Sequence, residues 1–247
     1  CRLLGRLKTS YQLSELVKTT NFKGWLELAC QFTTKTFSNW SGYMNSIHYL
    51  LALWGRLVAA LPYLRMDSAS DTQGHAQTLR QCVTTVVQTY IQTMLNSVEV
   101  VVQMEGGVDD PLEDEGSLRE AMDRLPGIAK LQYESIAQFL RNAFEKLTSD
   151  FEQTMSMTPE QARQQEKLVA VMEGQLTWLV QITAAIIGVS GVSDRDKKNS
   201  AELGWDGHLC RCIFTLIELL DRRAAQSKIR ADQKLELAIL AFFKSFK

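Results

Sequence analysis

Apolar residues recur every three to four positions along most of this chain, a spacing that is typical of amphipathic helices. About seven such stretches, each closed by proline, glycine or a polar cluster, leave little room for strands. The clearest stripe ends at Pro62 and consists of Ile47, Leu50, Leu51, Trp54, Leu57, Val58 and Leu61. A helix this apolar needs neighbours to cover it. The pattern therefore predicts an all-α fold of stacked helices.

The breaks in the pattern give approximate helix bounds. Polar runs predict loops at 67–77 and at 188–206, and Thr158-Pro159 predicts a capped helix start. Pro126-Gly127 is expected to interrupt a helical region over 117–157, because proline cannot donate to the backbone ladder. The predicted helices span 2–8, 12–18, 22–40, 46–61, 79–102, 117–157, 158–187, 208–224 and 232–247.

These helices form pairs at a spacing looser than the HEAT-repeat period of about 40 to 47 residues. So many apolar helices need neighbours on more than one side, which favours an irregular solenoid over a compact bundle. We therefore predict that 1–247 is a single segment of a HEAT-repeat-like α-solenoid, with an acidic inter-helix loop at 104–117 and a surface loop at 188–206. The chain begins at Cys1 and ends within an apolar run, so we expect a fragment of a longer solenoid.

Charge and cysteine content narrow the class of protein. Lys and Arg number 27 against 28 acidic residues, a balance that argues against a nucleic-acid-binding face. Residues 1–66 carry eight basic and two acidic side chains, whereas 105–123 carry eight acidic and one basic, so the charge is polarised along the chain. Five cysteines without framework spacing favour reduced thiols in the cytosol or nucleus.

Residues 174–193 form an uncharged stretch long enough to raise the question of a membrane span. The stretch contains Gln175, Gln181 and Thr183, and its one possible aromatic anchor is Trp178. We therefore expect a central helix buried by other helices and no membrane insertion. Glu166 and Glu173 are interpreted as the solvated side of that helix.

Catalytic motifs are not found in the sequence, and we expect neither an enzyme nor a cofactor. Its glycines lack the spacing of a phosphate-binding loop. His208, Cys210 and Cys212 have ligand chemistry, but on a helix His208 and Cys212 share a face without a second pair, so we expect no metal site. Cys30 and Cys82 lie on apolar faces and are interpreted as small buried hydrophobes.

An acidic loop between two long helices is the strongest candidate for a functional surface. It contains Glu105, Asp109, Asp110, Glu113, Asp114 and Glu115. Repulsion is expected to keep the loop extended and solvated. One interpretation is a solubilising linker, and a second is a docking strip for a basic partner surface. A calcium loop is a third, although the spacing is not that of an EF-hand.

Several long segments resemble the exportin-seven family of nuclear transport receptors, within the importin-β superfamily. The resemblance covers nearly the whole chain, apart from divergent stretches at 67–78 and 190–206. The segments that carry it are CRLLGRLKTSYQLSELVK, SIHYLLALWGRLVAALPYL, DDPLEDEG, EGQLTWLVQITAAIIG and DQKLELAILAFFKSF. It implies a superhelix of HEAT repeats and a receptor that does no chemistry itself.

The resemblance also implies partners and a location. Receptors of this family bind Ran in its GTP form, protein cargo and the phenylalanine-glycine repeats of nucleoporins, and they shuttle between nucleus and cytoplasm through nuclear pores. An acidic loop contacts the basic side of Ran in related receptors, and residues 105–115 are the candidate here. A HEAT-type protein-interaction scaffold not linked to Ran, and the helical regulatory domain of an enzyme, remain alternatives.

Overall fold

The structure is a computed structural model that describes residues 1–4, 21–61, 72–154, 165–188, 200–227 and 231–244. Within these ranges every regular element is helical and none is a strand. Residues 2–4 are helical, and a 3₁₀ turn, Lys130–Gln132, separates α4 from α5. The α-helices are α1 (Phe22–Ser38), α2 (Trp40–Ala59), α3 (Thr72–Met104), α4 (Glu115–Ala129), α5 (Tyr133–Thr154), α6 (Glu166–Gly188), α7 (Ser200–Ser227) and α8 (Gln233–Lys244).

The helices divide into two compact units. The first unit comprises Cys1–Thr93 and Asp114–Tyr133, and the second comprises Met94–Glu113 and Glu134–Lys247. The divisions fall inside α3, inside the acidic loop and at the start of α5. The single-segment organisation of 1–247 stays a prediction.

In the first unit, α2 packs against both α1 and α4. The predicted stripe on α2 is buried, apart from the half-buried Val58, and the indole Nε1 of Trp54 donates to Thr33 Oγ1 of α1 at 3.0 Å. At the contact between α2 and α4, Arg124 Nη1 of α4 donates to the carbonyl oxygen of His48 at 2.7 Å. Burial of α2 by two neighbours explains why its apolar stripe is so wide.

In the second unit, α6 is the central helix. It packs closely against α8 and also contacts α7. Gly174 lets α6 approach the end of α3, because a Cβ at this position would lie 2.6 Å from Val98 Cγ1. Of the described helices, α6 alone has the length and mean hydropathy of a membrane span, but two thirds of its apolar window (67%) is buried inside the protein. A buried core helix has the same composition.

Helix α3 begins at Thr72, inside the predicted loop 67–77, because Ala76 extends the buried face one turn before Leu79. Helix α4 continues through Pro126-Gly127 to Ala129, and the interruption comes at the 3₁₀ turn that follows. Burial of Leu125, Ile128 and Ala129 offsets the roughly 3 kcal/mol that an interior proline costs.

The predicted surface loop 188–206 is partly wrong, because α7 begins at Ser200. Gly204 favours a loop in the sequence, but a glycine costs a helix only about 1 kcal/mol. Burial of Leu209, Ile213 and Leu216 anchors the helix that contains them. The remaining loop positions, 189–199, lie outside the described residues, as do most of the predicted helices 2–8 and 12–18 and the Thr158-Pro159 start.

Candidate functional site

The acidic loop begins with a sharp turn at the end of α3. Glu105 and Gly106 have φ values of 44° and 91°, in the left-handed region, and Gly107 N donates to Met104 O at 2.9 Å. A glycine adopts this conformation at low cost, whereas Glu105 is an uncommon residue there. The chain therefore leaves the helix abruptly instead of continuing its axis.

The middle of the loop forms a second turn around Pro111, which is buried. Asp110 organises this turn, because its Oδ1 accepts from Leu112 N at 2.9 Å and its carbonyl oxygen accepts from Glu113 N at 3.0 Å. The expectation of an extended loop is wrong for this part of the chain. Local hydrogen bonds give it a defined shape.

Two lysines from distant helices hold the second-unit part of the loop. Lys234 Nζ of α8 contacts Asp110 Oδ2 at 2.6 Å and Glu113 Oε1 at 3.0 Å. Lys167 of α6 pairs with Glu105, and both side chains are exposed. These ion pairs neutralise part of the charge that would otherwise repel, so three of the predicted site residues have partners inside the unit.

The pKa shifts agree with this geometry. Burial by itself lowers the pKa of Lys234, but the hydrogen bonds and charges of Asp110 and Glu113 outweigh burial and raise that pKa above its ordinary value. The hydrogen bond from Lys167, followed by its charge, lowers the pKa of Glu105. The ionised forms of Lys234 and Glu105 are therefore the stabilised ones.

Asp114 and Glu115 have a structural role at the start of α4 in the first unit. Asp114 Oδ1 accepts from Ser117 N at 3.0 Å, which caps the helix, and this hydrogen bond lowers the pKa of Asp114. Glu115 lies in the first turn, where the helix dipole favours a negative charge. Helix capping therefore accounts for the position of these two residues without a partner protein.

The six predicted site residues thus differ in how accessible their carboxylates are to a partner protein. Asp109 and Glu115 are exposed and have no ion-pair partner within the described ranges, and Glu113 is 70% exposed beside Lys234. Asp110, by contrast, is only 16% exposed. Lys167 and Lys234 were missed by sequence reasoning because they lie 62 and more than 120 residues from their partners. No local pattern links residues so far apart.

Glu173 corrects a second expectation. It lies inside the second unit, where its Oε1 accepts from Arg223 Nη1 of α7 at 2.6 Å. Its interpretation as part of a solvated helix side is wrong, because 8% of the residue is exposed. The single glutamate within an otherwise uncharged run, Leu168 to Ile187, was the signal that could have marked a buried ion pair.

The cysteines and histidines form no evident reactive site. Cys30 and Cys82 are buried in the first unit, as predicted, and Cys30 Sγ lies 3.8 Å from the carbonyl oxygen of Cys82. His208 and Cys212 are both on α7. Within the residues that the structure describes, no group of three His, Cys, Asp or Glu side chains is arranged to hold a metal ion.

Comparison with known protein families places these helices in context. A family model described as "Exportin-7-like, TPR domain" matches residues 97–247, which is more than half of the chain. This chain belongs to the exportin-7-like family. The resemblance predicted from the sequence is confirmed, and so is the fold class, an all-α segment of solenoid type. The family model names a TPR repeat where the sequence suggested HEAT, and both are stacked helix pairs of the α-solenoid class.

Individual relatives align along the whole chain. Exportin-7-B of Xenopus laevis is 34% identical over 249 residues, covering 100% of this chain and 21% of the relative. Ran-binding protein 16 of Drosophila melanogaster is 32% identical and covers 98% of this chain and 20% of the relative. Ran-binding protein 17 of Mus musculus is 29% identical over the full chain and 21% of the relative.

The exportin-7-like chain therefore spans about a fifth of the length of the curated relatives it matches. These relatives carry the names of exportins and Ran-binding proteins, not of enzymes. No solved structure matches the chain.

Proposed function

We propose that this chain is part of a nuclear transport receptor that carries protein cargo between nucleus and cytoplasm under the control of Ran-GTP. Membership of the exportin-7-like family supports this function, as do relatives named exportins and Ran-binding proteins. Passage through the nuclear pore would use nucleoporin phenylalanine-glycine repeats as further partners. In this function the receptor is not an enzyme and needs no cofactor.

Direction of transport then follows from linkage. If Ran-GTP and export cargo both favour one conformation of the receptor, each raises the affinity for the other by the same factor. Hydrolysis of GTP removes one ligand and with it the coupling, so cargo dissociates. The helices need only provide surfaces and a conformational equilibrium, which suits an all-α chain.

For the Ran contact we propose the acidic loop, with Glu105, Asp109, Asp110, Glu113, Asp114 and Glu115. The observation that carries this assignment is the pair of lysine anchors, Lys167 and Lys234, on the loop. An anchored loop loses less conformational entropy on docking than a flexible one. Its exposed carboxylates would steer a basic partner surface towards it and fix the orientation of the complex.

The test measures affinity of the full-length protein for Ran loaded with GTP or GDP, at low and physiological salt. A triple variant, Asp109→Asn, Glu113→Gln and Glu115→Gln, removes three exposed charges and leaves the Asp110 anchor and the Asp114 cap. We expect it to weaken Ran-GTP binding by about tenfold at low salt and less at physiological salt, since screening reduces exposed charge effects.

A matched control carries Glu218→Gln, Asp221→Asn and Glu236→Gln, three exposed charges on α7 and α8. Unchanged Ran affinity in the control and a loss in the loop variant support the proposed contact. An equal loss in both variants, or no loss in either, removes the loop from the site. Equal binding of the GTP and GDP forms by the unmodified protein would instead favour the scaffold alternative.

A further inference from the structure

A cleft of about 490 Å³ lies between α5 and α7, within the second unit. None of its lining residues belongs to the acidic loop, and none takes part in the buried Glu173–Arg223 pair. The charged or ring-bearing side chains that line the cleft are Arg141, Glu145 and Glu152 from α5, and His208, Arg211 and Arg222 from α7.

An ion pair at one end and the electrostatic surroundings of Cys212 towards the other indicate that α5 and α7 run in the same direction along the cleft. Arg222 Nη1 contacts Glu152 Oε1 at 3.0 Å near the C-terminal ends of the lining stretches. Towards their N-terminal ends, burial and then the Glu145 carboxylate raise the pKa of the Cys212 thiol, which places Glu145 near Cys212. From His208 to Arg222 the cleft extends for roughly 21 Å, at 1.5 Å per helical residue.

Positive charge is in excess at the N-terminal end of the cleft. Arg141 Nε lies 2.7 Å from Glu145 Oε1, and Arg222 is paired with Glu152, so two of the arginines are matched by carboxylates within the cleft. Arg211 is exposed and has no carboxylate partner within the described part of the chain. Its guanidinium is left available beside His208 on the next turn of the same face.

We propose that this cleft binds an acidic segment of a partner protein, with a carboxylate of that segment on Arg211. Guanidinium groups form paired hydrogen bonds with carboxylates, and Arg141 and Arg222 already pair with carboxylates in the same cleft. Glu145 and Glu152 would repel a doubly charged phosphate more strongly than a singly charged side chain. A length of roughly 21 Å accommodates about six residues of extended chain.

This site is independent of the proposed Ran contact, because its charge has the opposite sign and its residues are different. The acidic loop suits a basic partner surface, whereas the α5–α7 cleft suits an acidic segment. A receptor with both features would hold two partners of opposite charge through separate elements.

The experiment measures binding of a fluorescein-labelled decapeptide of alternating Glu and Ser to the full-length protein by fluorescence anisotropy, at about 50 mM salt. A peptide of alternating Gln and Ser is the matched probe without charge. We expect the Glu peptide to bind at least about tenfold more tightly than the Gln peptide. Arg211→Glu should weaken Glu-peptide binding by about tenfold, and Arg211→Ala by about threefold, because the first change also introduces repulsion.

Arg119→Glu is the control, since Arg119 is an exposed arginine on α4 outside the cleft and undergoes the same charge change. We expect its affinity for the Glu peptide to stay within about twofold of the unmodified protein. Because Arg211 is exposed, both Arg211 variants should keep the native circular dichroism spectrum. If Arg211→Glu does not fold, the affinity of Arg211→Ala for the Glu peptide tests the proposal instead.

Three outcomes would overturn the proposal: no binding of the Glu peptide, equal binding of the Gln peptide, or an equal loss in the Arg119 and Arg211 variants. A fourth is that inorganic phosphate, at constant ionic strength, displaces the Glu peptide and binds more tightly than the peptide does. That result would assign the cleft to phosphate groups.

Discussion

Oε1 of Glu173 lies 2.6 Å from Nη1 of Arg223 in the interior of the second unit, where the two side chains are 11% and 13% exposed. The Arg223 guanidinium also lies over the Phe151 ring, with Cζ 5.0 Å from the ring centroid. The pair thus joins side chains from α5, α6 and α7. Two charges have been removed from water at this point, and the ion pair compensates part of the cost of burying them.

Removal of the arginine should be far more damaging than neutralisation of the glutamate. Arg223→Met leaves an ionised carboxylate buried without its partner and removes the contact with Phe151, which should lower the free energy of unfolding by about 3 kcal/mol. Glu173→Gln keeps a hydrogen-bond acceptor for Arg223 and removes a charge that burial disfavours, so the expected loss is under about 1 kcal/mol. Urea unfolding at neutral pH measures both.

The double variant Glu173→Met/Arg223→Met provides the control for this asymmetry. Replacing both charges with apolar side chains should recover most of the loss seen in Arg223→Met, because no uncompensated charge remains. A double variant that is less stable than Arg223→Met would contradict the prediction.

The pH dependence of stability should carry the signature of Glu173. Burial raises the pKa of this carboxyl above its ordinary value of 4.5, and the hydrogen bond and charge of Arg223 only partly oppose the shift. Between the two values the folded chain holds a proton that the unfolded chain has released. The Glu173 contribution to the free energy of unfolding is therefore largest below about pH 4.5 and decreases as pH rises through the raised pKa.

Urea unfolding of the unmodified chain and of Glu173→Gln over a pH series isolates this contribution as a difference. The unmodified chain should lose stability relative to the variant as pH rises. A difference that grows in the opposite direction would mean that Arg223 outweighs burial and holds the pKa of Glu173 below its ordinary value.

Gly174 should not tolerate a side chain. A Cβ at this position would lie 2.6 Å from Val98 Cγ1, and the branched valine has little rotamer freedom to move away. We expect Gly174→Ala to lower the free energy of unfolding by about 1 to 3 kcal/mol, as overpacked cores do. Thermal or urea unfolding measures the change, and the penalty should shrink in a Val98→Ala background.

Gly127 supplies the matched glycine for comparison. It is an exposed position inside α4, and nothing lies within 4 Å of a Cβ added there. Gly127→Ala should raise the free energy of unfolding by about 0.5 to 1 kcal/mol, because alanine is the better helix former. If both glycine variants change stability in the same direction, close packing at Val98 is not the cause of the Gly174 effect.

Lys234 should control the order of the acidic loop. Lys234→Met removes the contacts to Asp110 and Glu113, so amide hydrogen exchange at Leu112 and Glu113 should become several-fold faster. Lys244→Met, at an exposed lysine on the same helix, is the control and should leave the exchange unchanged. Equal exchange rates in both variants would show that the Asp110 turn holds the loop by itself.

The apolar pattern predicted the helices whose burial it encodes directly. The pattern predicted a helix over 22–40, and α1 spans Phe22–Ser38; it predicted a helix end near 187, and α6 ends at Gly188. These helices were predictable because wide apolar faces require burial. Even there one large apolar side chain is not covered, since Phe32 of α1 is 43% exposed. Neighbouring helices, not the helix's own sequence, decide which edge of a stripe is covered.

Two kinds of feature could not be predicted from the sequence. The starts of α3 and α7 depend on a balance between the burial gained by one more helical turn, as at Ala76, and the cost of a poor helix former, as at Gly204. Such differences in free energy amount to only about 1 kcal/mol. The anchors of the acidic loop depend on tertiary placement, because Lys234 reaches Asp110 across 124 residues of sequence. Local patterns predicted the charge cluster but not the side chains that restrain it.

The burial of two tryptophans gives each unit its own optical reporter. Trp54 is fully buried in the first unit with its indole N–H bonded to Thr33, whereas Trp178 is 1% exposed in the second, and its N–H has no acceptor within the described part of the protein. Indole emission responds to local polarity and hydrogen bonding. Variants that retain only Trp54 or only Trp178 would therefore emit at different wavelengths when folded. Tryptophan fluorescence could then follow the unfolding of each unit separately.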